Sequence, residues 1–496
     1  MADDYFLLAE GSTIMGTHYD LEPKWQENRF GPTVRNIKRR IPFAGMDASG
    51  TGVGSAGTNA AMMIEMNPQI MTNARSGSDL EAVMPDATTM AGMMVGVNQS
   101  DMRRVAASLA LSKLALDHYR GMPDASWNLA KEMRRQTDKA IAERQDQIIN
   151  TSTGAKGTVA NVYAPGGTSA YSSAGYAWIQ LSTSPSMFHQ GELITITQSS
   201  NTVSAVVVAV CHAPQFERLN IGPGIMVYAS TDTYLSSVTA GDTIYPAGET
   251  PSTSGYPCSM PALFNSSTTP GAFFDKTRYG TTNWVNNFLV PYMEYCGDAS
   301  APVPFDIDVH FGHMFATLAQ MIPTERNNLA PQKGEENIEI SDAVITEASP
   351  AMVREISRQA GQPGSRWTRA LPSTLGEAGK KIIAVCGTTA TVLIDPDMPP
   401  IVLQSNELMT PTNVRTWDPN QWAMIEMGGG KPEWLKDPGS GSVWHQAYNI
   451  TSAGSVASTT TLHLVPKYIA GAYVINTPIC MRPKTGYEIQ GVKVSI

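Results

Sequence analysis

Residues 123–150, PDASWNLAKEMRRQTDKAIAERQDQIIN, decide how the rest of the chain is read. Asp124, just after Pro123, can cap a first helical turn. From there Trp127, Ala130, Met133, Thr137, Ala140, Ile141 and Ile148 fall three, four or seven residues apart, which draws one apolar stripe. The other face carries Glu132, Arg135, Lys139, Glu143 and Gln147, with Arg135 and Lys139 a like-charge pair and Lys139 and Glu143 an opposite one. No Gly or Pro interrupts before Gly154. At about 1.5 Å per residue the helix spans roughly 40 Å, longer than most globular helices. Flanked by Gly- and Thr-rich chain, it reads as a beam with sheets laid against it. That is architecture, not catalysis.

The composition points the same way. A chain of 496 residues can bury a large core, and its length favours two to four domains. Only 16% of residues are charged, against roughly 25% in ordinary soluble proteins. Such a surface has too few ions to cover it, so burial against other subunits is expected. The net charge of −9 and pI near 5.5 argue against a protein held on nucleic acid by phosphate contacts. They do not exclude a container whose wall faces nucleic acid without gripping it. The five cysteines (Cys211, Cys258, Cys296, Cys386, Cys480) are too widely spaced for a zinc or redox motif and fit a reducing compartment. The start, MADDYFLLAEGST, is acidic where a secretory signal is basic. The longest later apolar run, Ala205 to Cys211, has strand length and is far below a membrane span.

In chain order, residues 1–34 read as an extended arm with anchors at Tyr19, Leu21, Trp25 and Phe30. Residues 35–99 read as a two-stranded arm: a Gly-rich stretch, an apolar patch at NAAMMIEM, and a return strand in ATTMAGMMVGV. Ten methionines lie from Met46 to Met102, as core or as an adaptable contact surface. An isolated hairpin is marginal in water, so this arm needs a neighbour to lie on. Asn98 or Ser100 is expected to cap a helix running to Arg120, with Val105, Leu109, Ser112 and Leu116 on one side. Residues 155–250 carry β-branched runs at 192–198, 202–212 and 225–231, closed by Gly241–Tyr245, and predict a small barrel or sandwich. Residues 251–282 read as a surface connector. WVNNFLVPYMEYCGD is expected to be helical, kinked or shortened by Pro291, Asp306–His310 a strand leading to a helix over 313–321, and 350–360 a helix. Strands are expected at 381–386, 391–394, 460–465 and 468–474.

Little chemistry stands out. Gly52-Val53-Gly54-Ser55-Ala56-Gly57 matches the dinucleotide fingerprint, but no strand precedes it and no acid follows a second strand about 20 residues on. Gly376-Glu377-Ala378-Gly379-Lys380-Lys381 lacks the hydroxyl that holds magnesium in a phosphate-binding loop. Asp306, Asp308 and His310, sharing a strand face and joined by His313, form the best metal candidate; the plainer reading is a solvated strand face. Arg35, Lys38, Arg39 and Arg40 suit phosphate or an acidic partner such as Asp79–Glu81 or Glu335–Glu339 of another copy, unless they are simply a solvated charge run. No catalytic, cofactor or metal residue is assigned, and no enzymatic activity is expected.

The order of elements resembles the major capsid protein of tailed bacteriophages, the Hong Kong 97 fold. Met94–Asn98 followed by Ser100-Asp101 resembles the second loop strand passing into the peripheral domain. Pro123–Asn150 with Thr151–Gly154 resembles the spine helix and its exit. Gly387–Pro399, GTTATVLIDPDMP, resembles that family's strand ending in an Asp-Pro-x-Met-Pro turn. Phe188-x-x-Gly191 and Gly241–Tyr245 resemble the ends of a β-barrel insertion carried by some members.

The resemblance implies an α+β fold with an arm (1–34), an extended loop (35–99), a peripheral domain (100–154) and an inserted barrel (155–250). A connector (251–282), an axial domain (283–400) and a strand-rich return (401–496) complete it. It further implies hexamers and pentamers tiling an icosahedral shell in the virion, with double-stranded DNA inside contacted non-specifically, and a separate scaffolding protein and portal. No membrane is involved. Alternatives are an encapsulin-like compartment of the same fold, a nucleotide-binding enzyme using Gly52–Gly57, or a tail component.

Overall fold

The structure is a computed structural model. It describes residues 32–43, 59–63, 94–112, 129–164, 175–183, 185–197, 202–211, 224–229, 235–264, 272–274, 277–278, 289–297, 303–314, 316–317, 345–360, 368–370, 381–385, 388–395, 397–398, 412–427, 433–434, 444–450, 464–481 and 483–493. In chain order the elements are α1 (Pro32–Asn36), β1 (Arg39–Pro42), β2 (Asn59–Met63), β3 (Met94–Asn98), β4 (Arg103–Ser112) and α2 (Leu129–Asn150). Next come β5 (Gly157–Tyr163), β6 (Tyr176–Leu181), β7 (Leu193–Thr197), β8 (Thr202–Cys211), β9 (Gly224–Tyr228), β10 (Thr243–Pro246), α3 (Pro251–Ser254) and α4 (Met260–Leu263). Then follow β11 (Tyr292–Tyr295), β12 (Val303–Pro304), β13 (Ile345–Ala348), α5 (Pro350–Ala360), β14 (Thr368–Ala370), β15 (Lys381–Val385) and β16 (Thr388–Ile394). The last are β17 (Thr412–Trp417), β18 (Trp422–Met427), β19 (Glu433–Trp434), β20 (Trp444–Ile450), β21 (Leu464–Cys480) and β22 (Tyr487–Lys493).

The chain divides into two units. One comprises Met1–Phe43, Met102–Gln147 and Met424–Thr477; the other comprises Ala44–Asp101, Ile148–Ala423 and Pro478–Ile496. The first is organised on β21, which pairs with β4, β18, β19 and β20 in a six-stranded sheet that β1 extends. β21 and β4 match over ten residue pairs, from Lys467 and Ser112 to Asn476 and Arg103. This corrects the helix expected from Asn98 or Ser100 to Arg120. RRVAASLALS alternates Val105, Ala107, Leu109 and Leu111, a period-two pattern, and the ten-residue partner stabilises it as a strand. The Arg104 guanidinium lies 4.2 Å from the Tyr473 ring centre across this pair. The strands expected at 460–465 and 468–474 are, among the described residues, one strand of 17 residues. Pro466 lies near its start, ahead of the first β4 partner at Lys467, where a missing amide is best tolerated.

The helix α2 runs from Leu129 to Asn150 among the described residues; Trp127 and the side chains of Ala130, Glu132, Met133 and Arg135 lie outside them. Thr137, Ile141 and Ile148 are buried as the stripe requires, and Lys139 pairs with Glu143 at 3.5 Å. Two positions differ: Ala140 is exposed, and Gln147 is buried rather than on a solvated face. From Arg144 to Asn150 every residue is buried, so the apolar stripe widens into a fully enclosed end. Asp146 Oδ1 accepts from the backbone N–H groups of Thr33 and Val34, at 3.1 and 2.9 Å, and so caps α1 from a distant helix.

The second unit holds a closed six-stranded barrel, an eight-stranded sheet and a two-stranded ribbon. The barrel order is β10-β5-β6-β9-β8-β7, with all pairs antiparallel. In β8, Val203, Ala205 and Val207 point inward while Thr202 and Ser204 are exposed, the alternation that a half-buried strand requires. Gly154, at the helix exit, has φ +75, and an added Cβ would lie 2.6 Å from the Ser254 backbone. Only glycine fits there.

The eight-stranded sheet runs β11-β22-β17-β13-β16-β15-β14, with β12 also on β22. α5 covers it through Met352, Val353 and Ile356, packed with Val392, Val414 and Ile489. The expected helix at 350–360 and the strands at 381 and 391 are present. Two expectations fail. Tyr292–Tyr295 is a strand rather than a helix, because past Pro291 it finds a parallel partner in β22. Asp306–His310 is not a strand: Ile307–Phe311 is a π-helical turn, capped by the Asp306 carboxylate through the amides of Asp308 and Val309. The 251–282 segment is not simply surface either. Tyr256, Met260, Leu263 and Phe264 are buried, because each brings apolar area worth removing from water.

Candidate functional site

The chemistry of the second unit concentrates in two places. The first is a buried charge network beneath the eight-stranded sheet. Arg415 on β17 donates from Nε to Glu488 of β22 at 3.1 Å and from one terminal nitrogen to Asn150 Oδ1 at 3.2 Å. Its guanidinium also lies 4.0 Å from Glu347 of β13. Asn150 donates in turn to Asp395 at 2.5 Å, Trp417 Nε1 donates to Glu347 at 3.2 Å, and Asn413 donates to Glu488 at 2.8 Å. Arg415, Glu347, Glu488 and Asp395 are all at most 1% exposed. Burial raises the Glu488 carboxyl above its ordinary range, and Arg415 pulls it back. Buried charges persist where partners satisfy them, and here these link the end of α2 to three sheet strands and to the turn after β16. Asp395 and Met398 belong to the Asp-Pro-x-Met-Pro turn read from the sequence: Asp395 Oδ1 accepts from the Asp397 amide at 2.8 Å, and Met398 is fully buried.

The second place is the end of the same sheet at β11. The expected quartet Asp306, Asp308, His310 and His313 does not gather as four ligands. Asp306 spends its carboxylate on the cap, and Asp308 follows it in the π-helical turn. The two histidines meet other residues instead. His313 Nδ1 lies 3.2 Å from Glu294 Oε1, and Tyr487 donates its hydroxyl to Glu294 Oε2 at 3.1 Å. Glu294, Cys296 and His310 bring their ligand atoms within 4.8 Å of one another. Burial, and next the Glu294 charge, push the Cys296 thiol up to about 11. From the sequence, Glu294-x-Cys296 was legible as an alternating pair only once the segment is read as a strand.

Of the basic quartet, Arg40 donates to Glu426 of β18 at 2.6 Å, within the first unit's sheet. Burial raises the Glu426 carboxyl and Arg40 lowers it. Gly52–Gly57, Asp79–Glu81 and Glu335–Glu339 lie outside the described residues, as does all of Gly376–Lys381 except Lys381, which begins β15.

The ribbon is the remaining feature. β2 and β3 pair antiparallel from Asn59 and Asn98 to Met63 and Met94, and NAAMM and MVGVN are apolar in sequence except at those paired asparagines. Among the described residues no third strand joins them. No helix among the described residues is long and apolar enough to cross a membrane.

No protein-family model matches the chain, and no curated protein matches it in sequence. Solved structures are similar to it in chain trace, several from capsids and one, the holo-SrpI encapsulin complex from Synechococcus elongatus PCC 7942, over 36% of this chain and 65% of its own, at 11% identity and a TM-score of 0.19. A chain of the cyanophage A-1(L) capsid asymmetric unit is similar over 93% of this chain and 93% of its own, at 9% identity and a TM-score of 0.39. The capsid of the native GTA particle is similar over 93% of this chain and 90% of its own, at 8% identity and a TM-score of 0.37. The bacteriophage PhiM1 mature capsid is similar over 92% and 86%, at 10% identity and a TM-score of 0.32.

Proposed function

We propose that this chain is the repeating wall subunit of a Hong Kong 97-type capsid, the major head protein of a tailed phage or a phage-like particle. The observation that carries the reading is the β2–β3 ribbon. Two five-residue strands of almost wholly apolar sequence, which no third strand joins among the described residues, make a ribbon that is marginal on its own in water, although Val97 is already buried within the chain. A neighbouring copy supplies the missing surface. In a symmetric assembly every copy both offers a ribbon and receives one, which closes the arrangement.

Other features support it. The low charge fraction of 16% suits a chain that covers much of its surface with copies of itself. The long helix α2, enclosed at its end, supplies a stiff member for a wall. In this proposal hexamers and pentamers close around double-stranded DNA, with a separate scaffolding protein and portal taking part in assembly. With a net charge of −9 the wall encloses the genome without strong phosphate binding.

Electron microscopy of the purified full-length protein tests the proposal. Closed shells holding nuclease-resistant DNA are expected when the particle is taken from its natural source. Shells holding a protein cargo instead would reassign it to the encapsulin-like class, and a monodisperse single chain would overturn it.

A further inference from the structure

We propose that Glu294, Cys296 and His310 form a divalent-cation site whose natural occupant is zinc. The three come from two separate pieces of chain. Glu294 lies in β11, and Cys296 continues its pairing, donating its backbone N–H to the Gln490 carbonyl at 2.9 Å. Two residues apart on an extended strand, the carboxylate and the sulfur share a face. His310 comes from the π-helical turn Ile307–Phe311, a backbone form that recurs at functional sites. The three ligand atoms already lie within 4.8 Å of one another. Tetrahedral ligands about 2.0–2.3 Å from a zinc ion stand somewhat closer together than that, so a small inward movement of side chains completes the set.

The His310 imidazole ring stacks on Phe305 with centres 5.4 Å apart, and its Nδ1 lies 2.9 Å from the Asp306 carbonyl oxygen and equally 2.9 Å from the Asp306 backbone N–H, which donates to it when Nδ1 is unprotonated. A cation on Nε2 selects the other tautomer, in which Nδ1–H donates to the carbonyl and Nε2 keeps its lone pair. A backbone carbonyl on the far nitrogen is the usual orienting contact of metal-bound histidines. Glu294 is likewise oriented, by the Tyr487 hydroxyl at 3.1 Å and by His313 at 3.2 Å.

The donor set selects the ion. Calcium and magnesium take oxygen ligands, whereas sulfur, imidazole nitrogen and one carboxylate oxygen together suit zinc. On binding, the Cys296 thiol releases its proton to solvent and its sulfur gives an electron pair to the ion; nothing is oxidised or reduced. The fourth position is taken by water or by His313, which already touches Glu294. The bound ion ties β11, at the end of the sheet's strand order, to the turn that follows β12.

The test uses the full chain, stripped with a chelator and titrated with Co²⁺ and then Zn²⁺. One cobalt per chain is expected, with a sulfur-to-cobalt charge-transfer band and tetrahedral ligand-field bands that zinc abolishes. Cys296→Ser should remove the charge-transfer band and weaken zinc binding at least about tenfold. Glu294→Gln, at a partly exposed position, should weaken zinc by a similar factor and keep the sulfur band, which separates a lost ligand from a lost fold. Absence of the band in the native chain, or its persistence in Cys296→Ser, overturns the assignment. So does equal zinc affinity in all three proteins.

Discussion

Arg415 holds together more buried charge than any other residue described here. It faces Glu488 and Glu347 and reaches Asn150, all out of water. Arg415→Ala leaves two carboxylates enclosed and under-paired, so it is expected to destabilise dissociated subunits by about 3–5 kcal/mol in urea unfolding. A loss under about 1 kcal/mol would mean that the network is solvated. Glu426 gives a pH test in the other unit. Its carboxyl is raised by burial above the ordinary 4.5, with Arg40 opposing. A raised acid binds its proton more tightly when folded, so its stabilising contribution is full below about 4.5 and is lost as pH rises through the folded value. Glu426→Gln should therefore gain stability relative to the native chain as pH rises above about 4.5, read from urea midpoints. A constant difference would show that the carboxyl is not raised. None of these charges announces itself in sequence. Arg415 in TNVRTW and Glu347 in ITEA each read as one polar residue on a solvated strand face, and only the sheet order sets Arg415 beside Glu347, with Asn150 in reach of the guanidinium.

At the scale of elements, long periodic segments are the legible ones. α2 has a 3.6-residue pattern with no breaker, and α5 and the barrel runs of β7, β8 and β9 likewise stand out. β4 is the instructive failure. Val105, Leu109 and Ser112 fit a helix, Val105, Ala107 and Leu109 fit a strand, and the partner that decides lies more than 350 residues later in β21. Local pattern cannot carry that information. The metal quartet fails for a related reason: an aspartate before a helical turn is a cap, so Asp306 satisfies backbone amides and His310 turns toward β11. Glu294 and Cys296 stay hidden because Pro291 and the surrounding apolar residues suit a short helix as well as a strand. The ribbon, by contrast, is visible in sequence as a pair of apolar flanks, which no third strand joins among the described residues. Deleting residues 45–70, which removes β2, is expected to leave soluble folded subunits that form no stable closed particles in electron micrographs. Normal particles from the deletion would contradict the role given to the ribbon.

For the whole molecule the account is one of distributed contacts. Under the proposed wall-subunit role, composition, a stiff helix and the two-stranded ribbon all serve packing among copies, each interface contributing modestly and repeated by symmetry. The barrel within the second unit closes its own strands and so offers no sheet edge for such pairing. Backbone hydrogen exchange across residues 59–63 and 94–98 measures this most directly, in assembled particles and in subunits dissociated from them. The account predicts strong protection in particles and near-complete loss of it in free subunits, while the barrel amides of residues 193–197 and 202–211 stay protected in both. Equal protection of the ribbon in a monodisperse single chain would contradict it.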